Sequence, residues 1–175
     1  MPEKIKLPSI LLAAILTVLA MMALVRPPET PEAVTIAEQN GVYGLSGIAD
    51  LDKTPVLLAA SENYYPNTYL SPENADAGVP ERISRYQEIE ADYLSQRFVL
   101  SLPDNGNTYT LTFKLSGRHA MRVYVNGRLS GQTGALGTTK QDTEVWENNI
   151  TVHASAVNGR MDIVLHSAQF YHARG

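Results

Sequence analysis

The sequence predicts an all-β protein, an antiparallel sandwich, carried behind one N-terminal transmembrane helix. Three observations predict it. Several segments alternate apolar and polar residues with period two, the mark of a half-buried strand. Four Asn-Gly pairs, at Asn40-Gly41, Asn105-Gly106, Asn126-Gly127 and Asn158-Gly159, punctuate the chain and supply the positive φ angles of tight turns. One long apolar run stands apart from this pattern near the start.

That run, Leu7 to Val25, is free of charge. As a helix it would span about 28 Å, enough to cross a bilayer core. Pro8 falls in its first turn, where a missing N–H is tolerated. Lys4 and Lys6 precede it and Glu29, Glu32 and Glu38 follow. The positive-inside bias places residues 1–6 in the cytoplasm and the rest of the chain outside. An uncleaved signal anchor over residues 7–25 is favoured. A cleaved signal peptide is the rival, but the run exceeds a usual h-region and the small-x-small pattern near Ala20–Ala23 is poor. Residues 26–33 hold Pro27, Pro28 and Pro31 and read as an extended linker.

Residues 34–175 are long enough to bury a core of their own. Phe98, Leu100 and Leu102 suggest a strand ending at Pro103. Tyr109, Leu111, Phe113 and Leu115 alternate with threonines and Lys114. Met121, Val123 and Val125 alternate with Arg122 and Tyr124, and Met161, Ile163 and Leu165 with Asp162, Val164 and His166. Asn105-Gly106 sits between two of these segments and is expected to close a hairpin. Asn63 to Asp92 is less regular. A helical turn at Ser71-Pro72-Glu73-Asn74 and a short helix or long loop over Val79–Tyr93 are the expectations there.

The 175 residues include no cysteine, which removes disulfides, thiolate catalysis and cysteine zinc sites. The formal charge of −4 and the lack of a basic cluster argue against nucleic acid. No catalytic or nucleotide motif occurs. His119, His153, His166 and His172 are scattered, so no metal site is expected, and no cofactor. The carboxylate groups Asp50/Asp52 and Glu88/Glu90/Asp92 read as solvated loop charge rather than a glycosidase pair.

A binding face is the better expectation. With the apolar sides of the strands inward, the other side shows Arg97, Thr110, Thr112, Lys114, Arg122, Tyr124, Asp162 and His166. Aromatic faces and planar polar groups of this kind bind sugars. Trp146, the one tryptophan, lies in a charged segment where exposure needs a reason. The candidate ligand-binding residues are Arg97, Arg122, Tyr124, Trp146 and His166.

An ordered series of motifs is similar to a known family. It runs Gly44-Leu45-Ser46-Gly47, then Tyr64-Tyr65-Pro66-Asn67-Thr68-Tyr69-Leu70-Ser71-Pro72-Glu73, then Tyr93 to Pro103. Tyr124-Val125-Asn126-Gly127-Arg128-Leu129, Gly134 to Gln141, and Ile163 to His172 complete it. The series resembles the extracellular sensory domain of bacterial seven-transmembrane receptors with diverse intracellular signalling modules. That resemblance implies a jelly-roll, galactose-binding-like sandwich over 34–175 that senses a small ligand outside the cell. It also implies that the chain is the front part of a longer receptor, with a histidine kinase or cyclase output beyond the membrane. The chain departs from the family at Ala60-Ser61-Glu62-Asn63, where a Gly-Glu-Trp is usual, and at Gln169-Phe170.

The expected function is therefore extracytoplasmic ligand sensing in a membrane-anchored bacterial receptor, without enzymatic activity in these residues. The expected ligand is a small molecule, with a carbohydrate as the leading candidate. A homodimer would give a single anchor helix a route for the signal. The alternative is a non-signalling cell-surface module that holds glycans or a partner.

Overall fold

The computed structural model describes residues 32–48, 50–51, 53–59, 63–73, 81–82, 91–114 and 119–170. Ala33–Gly175 form one compact unit. The anchor over 7–25 lies outside the described residues, as do Leu115, Glu88, Glu90 and residues 83–90. Among the described residues no helix is long and apolar enough to cross a membrane.

The unit is all-β. Its strands are β1 (Val34–Ile36), β2 (Val42–Gly44), β3 (Val56–Leu58), β4 (Asn63–Pro66), β5 (Glu81–Arg82), β6 (Tyr93–Ser101), β7 (Thr108–Phe113), β8 (Ala120–Val125), β9 (Arg128–Thr133), β10 (Ile150–Ser155) and β11 (Arg160–Ala168). The main sheet runs β5-β4-β6-β11-β8-β9, with β2 also on β6. Strands β7 and β10 form a second sheet and β1 and β3 a third. The sheets stay open rather than closing into a barrel.

Strands β6 and β11 pair antiparallel along their whole lengths, from Arg160↔Ser101 to Ala168↔Tyr93. Strand β11 then pairs with β8 from Ile163↔Val125 to Ala168↔Ala120. This register puts Phe98, Leu100, Met161, Ile163, Leu165, Val123 and Val125 on one face. They form the main core with Ile150 and Val152 of β10, while Tyr109, Leu111 and Phe113 of β7 pack against it. The alternation read from the sequence is thus the inward row of each strand. Tyr43 meets Phe98 edge to face at 5.4 Å and 84°, a geometry worth about 0.5–1.5 kcal/mol beyond area burial. Its hydroxyl donates to the Ala59 carbonyl.

Close approach of the two sheets requires glycine at Gly131, where an added Cβ would lie 2.5 Å from Ile150 Cγ2. Three Asn-Gly pairs are tight turns with both residues at positive φ: Asn40-Gly41, Asn126-Gly127 and Asn158-Gly159. This is the type I′ signature. Asn126-Gly127 joins β8 to β9, whose pairing carries a bulge between Val123 and Tyr124.

Three expectations are corrected. Asn105-Gly106 does not close a hairpin, because β6 and β7 belong to different sheets. Only Gly106 of the pair has positive φ, and Asn105 Oδ1 instead accepts the Asn107 N–H at 3.0 Å. The sheets are not purely antiparallel, since β1 pairs β3 and β2 pairs β6 in parallel. The single polar face is two faces. Thr110 and Thr112 line the outer side of β7, across the core from Arg122 and His166. There Thr108–Ser155, Thr110–His153 and Thr112–Thr151 touch side chain to side chain.

Gly134 gives a direct test of this packing. Its φ is +65° and an added Cβ would sit 2.1 Å from the Glu144 carbonyl oxygen. Gly134→Ala is expected to cost about 3 kcal/mol or more, by strain and by breaking the Ala135–Glu144 bridge. Gly44→Ala, with open space at its Cβ, is expected to stay within about 0.5 kcal/mol. Urea unfolding of both variants measures the difference.

Candidate functional site

The second face of the main sheet is where most of the candidate residues meet. Odd-numbered residues of β6 and even-numbered residues of β8 and β11 point to it. Arg97 and Tyr124 both flank Val164, and Arg122 and Ser95 both flank His166. Arg97, Arg122, Tyr124 and His166 therefore share one face across three adjacent strands.

This face is not an open wet surface. The segment Asn67–Glu73 crosses it as a cover. Asn67 N–H donates to the Tyr93 carbonyl at 2.9 Å. Leu70 N–H donates to Ser95 Oγ at 2.9 Å, and the same hydroxyl donates to the Thr68 carbonyl at 2.8 Å. His166 Nε2 lies 2.9 Å from the Leu70 carbonyl. A carbonyl only accepts, so Nε2 carries the proton. Leu70 then packs with Tyr65, Val164 and Tyr124 in a small second cluster. The Pro72 carbonyl reaches the β8–β9 turn, 3.6 Å from the position of a Cβ on Gly127.

The His166 ring sits between two tyrosines. Tyr69 stacks on it at 5.0 Å and 28°, and Tyr124 tilts against it at 4.9 Å and 55°. Tyr69 also meets Tyr93 at 5.0 Å and donates its hydroxyl to the Gly137 carbonyl at 2.9 Å. Burial disfavours charge on His166 and lowers its pKa from 6.5. The Leu70 hydrogen bond opposes this shift, and the Arg122 guanidinium adds to it. Burial, with Tyr93 beside it, pushes the Tyr69 phenol up to about 12, although Arg122 pulls the other way. Both rings are neutral at pH 7.

The two arginines differ. Arg97 holds Asp162 in a two-pronged contact, Nη2–Oδ2 at 2.6 Å and Nε–Oδ1 at 3.2 Å. Arg122 makes no hydrogen bond or ion pair among the described residues. It is part-exposed, and its cross-strand partner on β9 is the exposed Gln132. The next pair on this face, across the bulge, is Tyr124 and Leu129, a half-buried ring beside an aliphatic side chain that is 53% exposed.

Trp146 stands apart. It is 50% exposed, its indole N–H donates to Glu144 Oε1 at 2.9 Å, and its backbone bridges to His119. Among the described residues no ring contact or hydrogen bond joins it to the other four candidates. Of the carboxylates, Asp50 is exposed and pairs with Lys53 at 3.5 Å. Among the described residues no three acidic or histidine groups converge as metal ligands.

The sequence reading missed Tyr69, Ser95, Leu129 and Gln132. Ser95 was within reach, since it shares its parity with Arg97 in β6. The aromatic density of Tyr64 to Tyr69 was visible too, but not that this segment folds over the sheet. Strand β9 has no apolar alternation to reveal it. Comparison with known protein families, characterised proteins and solved structures yields no significant match.

Ser95 is fully buried and serves both Leu70 and Thr68. Ser95→Ala is expected to destabilise the protein by about 1–3 kcal/mol by leaving the Leu70 N–H unpaired, read as a lower urea midpoint. His166 supplies a pH dependence. Its folded pKa lies below 6.5, so as pH falls the unfolded chain takes up the proton first. Its contribution is complete above about pH 6.5 and is lost progressively below it. His166→Gln is expected to flatten the fall in melting temperature between about pH 6.5 and pH 5. An equally steep fall in the variant would remove His166 as its source.

Proposed function

We propose that the chain is the extracytoplasmic ligand-sensing domain of a membrane-anchored bacterial receptor. Residues 7–25 act as its anchor, and 34–175 form a jelly-roll, galactose-binding-like sandwich that binds a small carbohydrate. The observation that carries this reading is the gathering of Arg97, Arg122, Tyr124 and His166 on one sheet face. Such a mixture of guanidinium, phenol and imidazole groups suits a polyhydroxylated ligand with apolar C–H surfaces.

The all-β architecture supports the sandwich, and the ordered motif series from Gly44 to His172 supports the receptor reading. The residues present bind rather than catalyse. Signalling follows if the ligand prefers one of two arrangements of the domain. The cover Asn67–Glu73, fastened at Leu70 by Ser95 and His166, is the segment such a preference would act on. An output kinase or cyclase would lie beyond the membrane in the same receptor.

The test is a thermal-shift screen of the full chain in detergent micelles against neutral sugars, acidic sugars and cell-wall oligosaccharides. A saturable rise of several degrees in melting temperature is expected for at least one saccharide. It should shrink in Arg122→Ala and persist in Trp146→Ala. A flat response across the panel would replace this reading with the non-signalling partner-binding module.

A further inference from the structure

Arg97 and Arg122 lie on the outer face of the main sheet, flanking Val164 and His166, and among the described residues only Arg97 is neutralised. Arg97 has the Asp162 carboxylate at 2.6 Å. Arg122 sits on β8, the strand beyond β11, with no hydrogen-bond or ion-pair partner among the described residues. Its titratable ring neighbours are His166 and Tyr69, and both are held neutral by burial. The chain as a whole is acidic, at −4, yet no carboxylate of the described residues is spent on this cation. A part-buried guanidinium has lost water, and among the described residues it gains no counter-charge in return, which is costly unless something supplies one.

The surroundings limit what that something is. Gln132 is level with Arg122 across the β8–β9 ladder. Its exposed amide has no hydrogen bond among the described residues. Tyr124 and Leu129 form the adjacent pair on the same face. Two residues along β8 separate Arg122 from Tyr124 by about 7 Å, the reach of one sugar ring with its exocyclic acid group, while on β9 the bulge sets Leu129 three residues from Gln132. A planar fork of donors fits a carboxylate through two parallel bonds. A primary amide both donates to and accepts from hydroxyls. A phenol ring beside an aliphatic side chain covers a C–H face. A single cation matches a monoanion and leaves a phosphate dianion half unpaired.

We infer that Arg122, Gln132, Tyr124 and Leu129 form a binding site for an acidic monosaccharide, with the carboxylate on Arg122, a hydroxyl on Gln132 and the ring against Tyr124 and Leu129. This rests on the carbohydrate-sensing reading and names the ligand class of that face.

Isothermal titration of the full chain in detergent micelles tests it, with galacturonate, glucuronate, galactose, glucose and acetate at low ionic strength. One uronate is expected to bind about tenfold or more tighter than its neutral parent sugar and than acetate. Arg122→Gln should bring the uronate down to the level of the neutral sugar, and Arg122→Lys should keep part of the advantage. Gln132→Ala should weaken acid and neutral sugar alike. Melting temperatures without ligand establish that each variant is folded. Neutral sugars binding as tightly as uronates would overturn the acidic class and leave the sensing reading standing. Acetate matching the uronates would overturn the saccharide. A folded Arg122→Gln that keeps the uronate preference would overturn the location. No binding by any of the five would overturn this inference, and a flat response to the oligosaccharides as well would remove the broader reading.

Discussion

The pairing of β6 with β11 is the constraint on which the remaining strands depend. Nine residues of each strand are in register, so both long strands are fixed along their full length by one ladder. Strand β8 adds to the free side of β11, and β4 and β2 divide the free side of β6 between them. A slip of β11 by one residue would exchange its two faces against both neighbours. Met161 and Ile163, both fully buried, would change places with Asp162 and Val164. The hydrophobic row thus enforces the register, and the register brings Arg97, Asp162, Arg122 and His166 together.

The sheet is loaded on both faces, but by different chemistry. One side is closed by β7 and β10 through aliphatic packing. Among the described residues, the other is covered by the irregular segment Asn67–Glu73, held through its backbone to Ser95 and His166. Hydrophobic packing is non-directional and tolerates small shifts. A hydrogen-bonded cover is directional and carries buried polar atoms that need their partners. The two closures therefore differ in what would release them.

The strands that bury one aliphatic row were legible in the sequence, because period-two alternation is a direct print of a half-buried sheet. Strands β8 and β11 and the inner rows of β6 and β7 were read this way. What was not legible is sheet membership. Asn105-Gly106 has hairpin chemistry, yet the chain there crosses between sheets, and nothing local distinguishes the two. The division of the polar residues between two sheets was hidden for the same reason. Thr110 and Arg122 have equivalent positions in their own strands, and only the pairing partners separate them. His166 read as polar and therefore exposed, whereas the cover over it leaves it 6% exposed. Trp146 read as a platform for ligand. In the structure it is paired with Glu144, and the pattern of its own segment did not reveal the His119 bridge.

The place of β11 in the sheet has a consequence for how the protein comes into being. Among the described residues, the strand that joins the two halves of the main sheet, β11, comes after all the others in sequence. A ribosome delivers the N-terminal portion first, so β6 leaves the tunnel with its Phe98 and Leu100 row unmatched until residues 160–168 follow. Until then β8 has no neighbour to connect it with β6, and the growing polypeptide can form only fragments such as the β8–β9 hairpin. Contacts between such distant segments are slow to form and leave strand edges open meanwhile. Completion of the sheet thus waits on residues 160–168, and a message broken before codon 160 yields a product with no central strand.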